Sequence, residues 1–322
     1  MNIAIFIFVW YTLQQRFEAQ NKNGDKIKMC KLPVLYQITP DCDMLMNCYA
    51  IKTKNGKLIV IDGGGAGSEK NNGYLYKKLQ EISGEECPTV DAWFLSHMHD
   101  DHTNEFIIIG NDESKKITVK NVYMNFASRE FMKSSEGGHF AYLYDGIISA
   151  YDRFFGKGAF EKANGKTAFE GDIIEIDGIK IEIMLTVSDE EKEKNINDTS
   201  MIFRAYIDGQ SILFLGDGHI EVSERLIEKY GEALKSDIVQ MAHHGQNGVT
   251  FEVYKTVCPK LCLWPTPIWV YENKQGIYQT TEVRRFMMDM GVKYHIVAGV
   301  DLTRSLTFPI DFDTLKENDI TP

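Results

Sequence analysis

The sequence predicts an α+β fold of four layers, αββα, in which two sheets pack face to face and helices cover the outer faces. Two observations predict this. The chain forms two halves that each combine short apolar strands with amphipathic helices, and strands in both halves end in residues able to bind metal ions. Its 322 residues are enough for one large core, and no internal repeat is visible.

The composition is that of an ordinary soluble globular protein, with 43% hydrophobic and 25% charged residues. Lys and Arg number 35 against 46 Asp and Glu, a net charge of −11 that argues weakly against general binding of nucleic acid or anionic membranes. A small-molecule or phosphoester substrate is the expected partner, and nucleic acid is not excluded. Six cysteines do not form a disulfide framework in so long a chain, which favours reduced thiols and a cytoplasmic protein.

Residues 1–31 are predicted to be an apolar segment followed by a polar linker. Ile3 to Leu13 is almost entirely apolar but shorter than the roughly 20 residues that a bilayer span needs. It has no basic region before it, as a secretory signal would. We therefore expect no stable membrane span, although an N-terminal anchor or signal stays open. Residues 32–322 are predicted to form one domain with an insertion around 125–170.

The first half of the domain begins with the predicted strands Leu32–Thr39 and Tyr49–Lys52. A third strand, Leu58–Ile61, runs into Asp62-Gly63-Gly64-Gly65. A strand that ends in Asp-Gly-Gly allows the backbone to turn tightly beneath a site. This is not a phosphate-binding loop, because no Gly-Lys-Ser/Thr follows. Asn71 to Ile82 has helical spacing and leads to the next strand.

That next strand, Val90–Leu95, ends directly before an H-x-H-x-D-H motif formed by His97, His99, Asp101 and His102. Imidazole and carboxylate groups are the ligands that catalytic zinc and similar ions prefer. Two histidines one residue apart can point the same way from an extended chain, and the Asp-His pair can bind a second ion. A polar loop that is merely His-rich is disfavoured, because five of the eight histidines fall here and in one later pair.

The predicted insertion follows the strand Val119–Met124 and is rich in aromatic residues and glycine. It contains a predicted helix from Phe140 to Phe155. This helix either packs on the sheet or belongs to a lid that forms the substrate pocket. His139 lies in the insertion and is a further candidate ligand.

The second half opens with a hairpin over Phe169–Leu185, then the strands Met201–Ile207 and Ser211–Leu215. The last of these ends in Gly-Asp, which places Asp217 at a strand end. Its carboxylate is either a metal ligand or the N-cap of a helix over Glu221–Tyr230.

A further strand, Ser236–Ala242, ends in His243-His244-Gly245, the third group of candidate ligands at a strand end. His219 is close enough in sequence to touch this site. Cys258 and Cys262 could be half of a metal site, but without a second Cys pair they are predicted to be buried thiols. The remaining predicted elements are the helix Thr250–Val257, the strand Leu261–Trp264, the helix Thr281–Met290, and the strands Tyr294–Ala298 and Leu306–Pro309.

These motifs resemble the metallo-β-lactamase superfamily. Asp-Gly-Gly followed by H-x-H-x-D-H is typical of it, and the resemblance covers roughly residues 32 to 310. Asn-x-x-Ser before a strand, Gly-Asp after the next and His-His-Gly after a third resemble one subgroup, which includes competence-type DNA-uptake proteins and bacterial phosphorylcholine esterases.

The resemblance implies a metal-dependent hydrolase with two divalent ions, zinc or manganese, and with Asp217 bridging them. It implies Asp101 and His243 as catalytic residues, with the order of His243 and His244 open to reversal. The residues that it implies as metal ligands are His97, His99, Asp101, His102, Asp217 and His244. Those implied to support the ligands without binding metal are Asp62, Asn197 and Ser200.

One feature departs from the family pattern. Many members carry a further histidine between H-x-H-x-D-H and the bridging aspartate, and here only His139 lies between, in no recognisable motif. Asn197–Ser200 occupies the matching place in chain order. The first ion would then be held by His97, His99 and Asp217 with water, and its site could be only partly occupied.

Hydrolysis of a phosphoester or phosphodiester is the leading functional hypothesis, because a spare histidine could donate to a phosphoryl oxygen. Hydrolysis of another ester, a thioester or a lactone is an alternative. A di-iron redox enzyme and a non-catalytic metal-binding module are further alternatives, which metal analysis would separate.

Overall fold

The computed structural model describes residues 31–65, 73–187, 195–299 and 302–315. The predicted N-terminal apolar segment and most of its linker lie outside these ranges. No helix within them combines the length and the apolar character that crossing a membrane would require.

Fifteen strands are described, and short helices connect many of them. The strands are β1 Val34–Gln37, β2 Cys48–Lys52, β3 Leu58–Asp62, β4 Thr89–Val90, β5 Ala92–Phe94, β6 Thr118–Val119, β7 Val122–Tyr123, β8 Ile173–Ile176, β9 Ile179–Leu185, β10 Ile202–Ile207, β11 Gln210–Phe214, β12 Ile238–Gln240, β13 Leu261–Trp264, β14 Tyr294–Val297 and β15 Arg304–Thr307.

The described α-helices are α1 Tyr74–Ser83, α2 Asp100–Asn111, α3 Arg129–Lys133, α4 Ala141–Phe155, α5 Ala159–Ala163, α6 Ile220–Tyr230, α7 Phe251–Val257, α8 Ile268–Tyr271 and α9 Thr280–Asp289. Single 3₁₀ turns cover Ile196–Thr199, Gly231–Leu234 and Ala242–Gly245.

The strands form two large sheets and one small one. The first sheet has the order β15-β1-β2-β3-β5-β7, and the second has the order β14-β13-β12-β11-β10-β9-β8. Strands β3, β5 and β7 run parallel, as do β11 to β14. Parallel neighbours end at the same edge of a sheet, which is where α/β enzymes present ligand-binding residues.

An apolar core lies between the two large sheets. Tyr49 and Phe94 of the first sheet meet Phe214 and Phe203 of the second, with ring centroids 5.4 Å apart in both pairs. Aromatic pairs at this separation stabilise a core beyond the area they bury. This contact joins the two sheets into a sandwich.

Helices cover both outer faces of the sandwich. Leu79 of α1, Phe106 of α2 and Ile147 of α4 belong to the core on the outer face of the first sheet. Leu226 of α6 and Met287 of α9 belong to the core on the outer face of the second. The order helix, sheet, sheet, helix confirms the predicted α+β fold of four layers, αββα.

The structure corrects the predicted strand over Val119–Met124. That stretch contains two separate two-residue strands, because the chain first pairs with β4 and then crosses to pair with β5. The predicted strand Val90–Leu95 is likewise divided between β4 and β5. The break falls at Asp91, whose carboxylate accepts a hydrogen bond from the Leu58 N–H.

The prediction that both later cysteines are buried was half wrong. Cys262 is buried in β13, but Cys258 is exposed. Cys258 ends α7 in a left-handed conformation, with φ of 48°, which turns the chain at the protein surface.

Candidate metal centre

Six of the sequence-predicted residues converge at one edge of the sandwich. They form two groups whose potential ligand atoms lie within 4.8 Å of one another, namely Asp101, His102, Asp217 and His244, and His97, His99 and Asp217. Asp217 belongs to both groups. All of these residues are buried except His99, which is half-buried.

The H-x-H-x-D-H motif spans the end of a strand and the start of a helix. His97 lies on the extended chain after β5, and His99 is the N-cap of α2. His97 Nε2 and His99 Nδ1 are 3.2 Å apart, so the two rings face one point. Asp101 and His102 lie in the first turn of α2 and belong to the group that contains His244. The motif is thereby divided between the two groups.

Asp62, at the end of β3, is the hydrogen-bonding centre beneath the site. Its Oδ1 accepts from the Ser96 N–H at 2.7 Å. Its Oδ2 accepts from Asn47 Nδ2 at 2.7 Å, Ser96 Oγ at 2.8 Å and His102 Nδ1 at 2.9 Å. A histidine that binds a metal commonly donates its other ring N–H to a carboxylate in this way, which fixes the ring.

These partners determine which ring nitrogens carry hydrogen. Asp62 accepts from His102 Nδ1, and the Pro265 carbonyl accepts from His244 Nδ1 at 2.6 Å. Because Ser96 Oγ donates its hydrogen to Asp62, it accepts from His97 Nδ1 at 3.1 Å. In the neutral form, all three histidines therefore present a bare Nε2 to the centre of the cluster.

Two of these bare nitrogens face carboxylates. His102 Nε2 is 3.0 Å from Asp217 Oδ1, and His244 Nε2 is 2.9 Å from Asp101 Oδ2. Neither nitrogen makes a hydrogen bond within the described residues, and both are buried. Lone pairs facing negative oxygens at this distance repel each other unless a proton or a metal cation lies between them. The donor set therefore fits a divalent ion that prefers nitrogen and oxygen ligands.

The same clustering of charges perturbs the pKa values. Burial lowers the pKa of His102, but the carboxylates of Asp217 and Asp62 outweigh it and raise that pKa well above its usual range. Burial raises the pKa of Asp217, but His102 and His244 outweigh it and hold that pKa well below its usual range. The pKa of His97 is lowered well below its usual range, first by burial and then by His102. The Asp217 carboxylate is therefore ionised at neutral pH, as a metal ligand must be, and His102 carries a proton on Nε2 until a metal ion displaces it.

Two glycines permit the close approaches that the site requires. A Cβ at Gly64 would lie 2.1 Å from the Asp100 carbonyl oxygen, beneath the ligand-bearing turn. Gly245 has φ of +74°, and its Cβ would lie 2.5 Å from the Trp264 ring. The glycines of the Asp-Gly-Gly and His-His-Gly motifs are thus explained by space and backbone conformation.

A second histidine pair borders the cluster. His219 Nε2 lies 2.8 Å from His243 Nδ1 and 3.3 Å from Asn197 Nδ2. His243 Nδ1 also donates to the Asn247 carbonyl at 3.4 Å, so this nitrogen carries the hydrogen. His219 Nε2 is then the acceptor of both bonds, and His243 keeps a bare Nε2. Burial lowers the pKa of His219 to about 4, which keeps its ring neutral at pH 7.

The remaining predicted residues lie as follows. Ser200 Oγ accepts the N–H of Asp217 at 3.1 Å, beneath the shared carboxylate. His139 is bonded through Nδ1 to the Lys133 carbonyl and belongs to neither group. The helix of the insertion, α4, packs against α2, and Phe140 lies edge-on to the ring of His99 with centroids 5.0 Å apart.

Sequence analysis missed two residues of the hydrogen-bond network, Asn47 and Ser96. Ser96 lies at the strand end immediately before the motif, and this position was a usable signal. Asn47 reaches Asp62 across fifteen residues and carries no local signal.

A protein-family comparison agrees with this geometry. The model of the Beta-lactamase superfamily domain matches residues 44–261, which is more than half of the chain. The chain therefore belongs to the metallo-β-lactamase superfamily, whose members are mostly metal-dependent hydrolases. The predicted subgroup stays a prediction. A search among curated protein sequences gave no match.

Solved structures share the fold at low sequence identity. CmlA from Streptomyces venezuelae, a diiron β-hydroxylase, has a TM-score of 0.52 and 13% identity, over 86% of this chain and 54% of CmlA. This chain spans about half the length of CmlA. The metallo-β-lactamase fold protein YhfI from Bacillus subtilis has a TM-score of 0.48 and 11% identity, over 85% of this chain and 100% of YhfI. At such identities the likeness concerns the fold alone.

Proposed function

We propose that this protein is a hydrolase that binds two divalent metal ions and acts on a phosphoester or phosphodiester. The observation that carries the proposal is the pair of buried ring nitrogens, His102 Nε2 and His244 Nε2, that face the carboxylates of Asp217 and Asp101. Protons on these nitrogens offset the carboxylates in the metal-free chain, and a divalent cation would displace those protons and bind both partners.

The two groups of side chains divide the predicted ligands. One ion would be held by Asp101, His102, Asp217 and His244, and the other by His97, His99 and Asp217. The second set supplies only three side chains, so we propose that it binds its ion more weakly and completes the shell with water. Zinc or manganese suits these nitrogen and oxygen donors.

Two such ions, when bound, would lower the pKa of a water molecule and polarise the oxygen of the scissile bond. The side chains then have distinct tasks. Asp101 is the most accessible of the cluster's carboxylates, with 6% of its surface exposed against 1% for Asp217. We propose that Asp101, besides binding metal, orients the attacking water by accepting one of its hydrogens.

His243 is the proposed group that meets the phosphoryl or leaving oxygen. It is half-buried, lies next to the ligand His244, and keeps its Nε2 free while Nδ1 bonds to His219. A protonated Nε2 would donate to an oxygen that gains negative charge in the transition state. This spare donor is the feature that favours a phosphoester over a lactone or a thioester.

The test is hydrolysis of bis(p-nitrophenyl) phosphate by the metal-loaded protein, beside a lactone and a thioester. We expect phosphodiester cleavage by the wild type, none above background by Asp217→Ala, and wild-type activity in Asp91→Asn. The last variant also changes a buried aspartate, but Asp91 bonds to Leu58 and Lys120 and not to the cluster. Cleavage of the lactone or thioester alone would show that the substrate class is wrong.

Metal analysis of the purified protein separates the other classes. Stoichiometric zinc or manganese supports hydrolysis, whereas iron with no esterase activity would support a redox enzyme. Metal without activity on any ester would support a binding module.

A further inference from the structure

A cavity of about 570 Å³ adjoins the histidine pair. Its wall includes His219, the start of α6, the loop before α7 and the side of α9 that carries Val283. Because His219 contacts His243, and His243 precedes a candidate metal ligand, a substrate that reaches the cluster could extend one of its groups into this cavity.

Gln246 is the polar group that marks the cavity as a binding site. Only 9% of its surface is exposed, and it lines the cavity. Its backbone N–H bonds to the His243 carbonyl, but within the described residues its side-chain amide has no hydrogen-bond partner. The amide atoms keep some accessible surface, so they can pair within the cavity with water or with a ligand.

The rest of the wall indicates the kind of ligand. Val249, Phe251 and Val283 supply apolar surface, and no Lys or Arg is among the lining residues in the described ranges. The charged residue of the wall is Glu221, which interacts with the carboxyl of Asp198. A second anionic group would therefore meet negative charge and no counter-ion.

We propose that the cavity binds the base of a nucleoside phosphoester. The Gln246 amide offers a donor and an acceptor side by side, and the edge of a nucleobase offers the complementary pair. A carboxylate or phosphate could use only the amide N–H groups. The apolar wall would cover the faces of the ring. That the phosphoryl group lies at the metal cluster rests on the proposed function, whereas binding of the base does not.

The experiment measures binding without hydrolysis. Uridine and adenosine are titrated into the metal-loaded protein and followed by saturation-transfer difference NMR. The controls are 3-methyluridine and the dimethylamino analogue of adenosine, whose donor is blocked by methyl groups. We expect the dissociation constant of at least one nucleoside to rise about tenfold in its methylated form, which corresponds to about 1.4 kcal/mol.

Gln246→Met keeps the length of the side chain and removes its amide. We expect it to weaken nucleoside binding about tenfold as well. Gln80→Met, in α1 on the outer face of the other sheet, is the matched control and should leave binding unchanged. If Gln246→Met does not fold, the methylated nucleosides still give the answer with the wild-type protein.

Two results would overturn the proposal. One is that neither nucleoside binds at millimolar concentration, and the other is that methylated and unmethylated forms bind equally. Hydrolysis of bis(p-nitrophenyl) phosphate without nucleoside binding would leave the proposed function standing and remove this inference. Nucleoside binding without phosphodiester hydrolysis would leave this inference standing and remove the proposed function.

Discussion

Asp62→Asn is the perturbation that most clearly separates support of the ligands from direct metal binding. The Asp62 carboxylate accepts four hydrogen bonds of 2.7 to 2.9 Å, one through Oδ1 and three through Oδ2. An asparagine has a single oxygen, so one orientation turns its NH₂ toward the Ser96 N–H and the other turns it toward His102 and Asn47. Either way at least one buried donor loses its acceptor.

The expected size follows from those contacts. One buried N–H without an acceptor costs about 1 to 3 kcal/mol of folding free energy. Loss of the partner that orients a metal-binding histidine typically weakens metal affinity about 10- to 100-fold. We therefore expect the zinc dissociation constant of Asp62→Asn to rise within that range, although Asp62 touches no proposed ion.

The assay is competition with a chromogenic chelator, combined with urea unfolding of the metal-free protein. Asp91→Asn is the matched control, since Asp91 is a buried carboxylate in the same half of the molecule and lies outside the cluster. It should lose stability without losing metal affinity. Unchanged zinc affinity in Asp62→Asn, or an equal loss in both variants, would show that Asp62 does not orient a metal-binding histidine.

Three further perturbations test other parts of the structure. Gly245→Ala places a Cβ on a residue with φ of +74°, 2.5 Å from the Trp264 ring. Urea unfolding should therefore show a loss of about 1 to 3 kcal/mol in the free energy of unfolding. Unchanged stability would contradict this strain. Burial raises the pKa of Glu105 from 4.5 to about 7, so the folded protein retains the proton more tightly than the unfolded chain. Relative to Glu105→Gln, the wild type should then lose about 3 kcal/mol of stability as the pH rises from below 4.5 to above 7, and a difference that does not vary with pH would exclude this. Phe140→Ala removes the ring that packs against His99. If the insertion forms a lid over the substrate, KM for an aryl phosphodiester should rise several-fold in this variant. Unchanged KM and kcat would show that Phe140 only packs against the fold.

The candidate ligands could be found in the sequence because their signals are local. Each candidate ligand lies within a few residues of a strand end, and neighbouring parallel strands bring those ends to one edge of a sheet. His97, His99 and Asp217 could therefore be grouped before any coordinates were available. The same reasoning predicted both sheets and the helical layers, because apolar periodicity reports which face each element buries.

The parts that sequence analysis did not predict depend on contacts between distant residues. The ring of His244 is oriented by the hydrogen bond from its Nδ1 to the Pro265 carbonyl, a contact across 21 residues that no local signal indicates. The carboxylate of Asp62 accepts hydrogen bonds from Asn47, Ser96 and His102, which are distant from it in sequence. Strand boundaries such as that between β6 and β7 depend on which neighbour the chain pairs with, and this is a tertiary choice that local propensity does not determine.

The most direct test is the number of zinc ions bound per chain at saturating zinc, measured by native mass spectrometry without prior dialysis. We expect two ions in the wild type and one in His97→Ala, which keeps the group that contains His244. We expect one ion in His244→Ala as well. A single ion in the wild type, or two ions in all three proteins, would contradict a centre in which Asp217 is shared between two ligand groups.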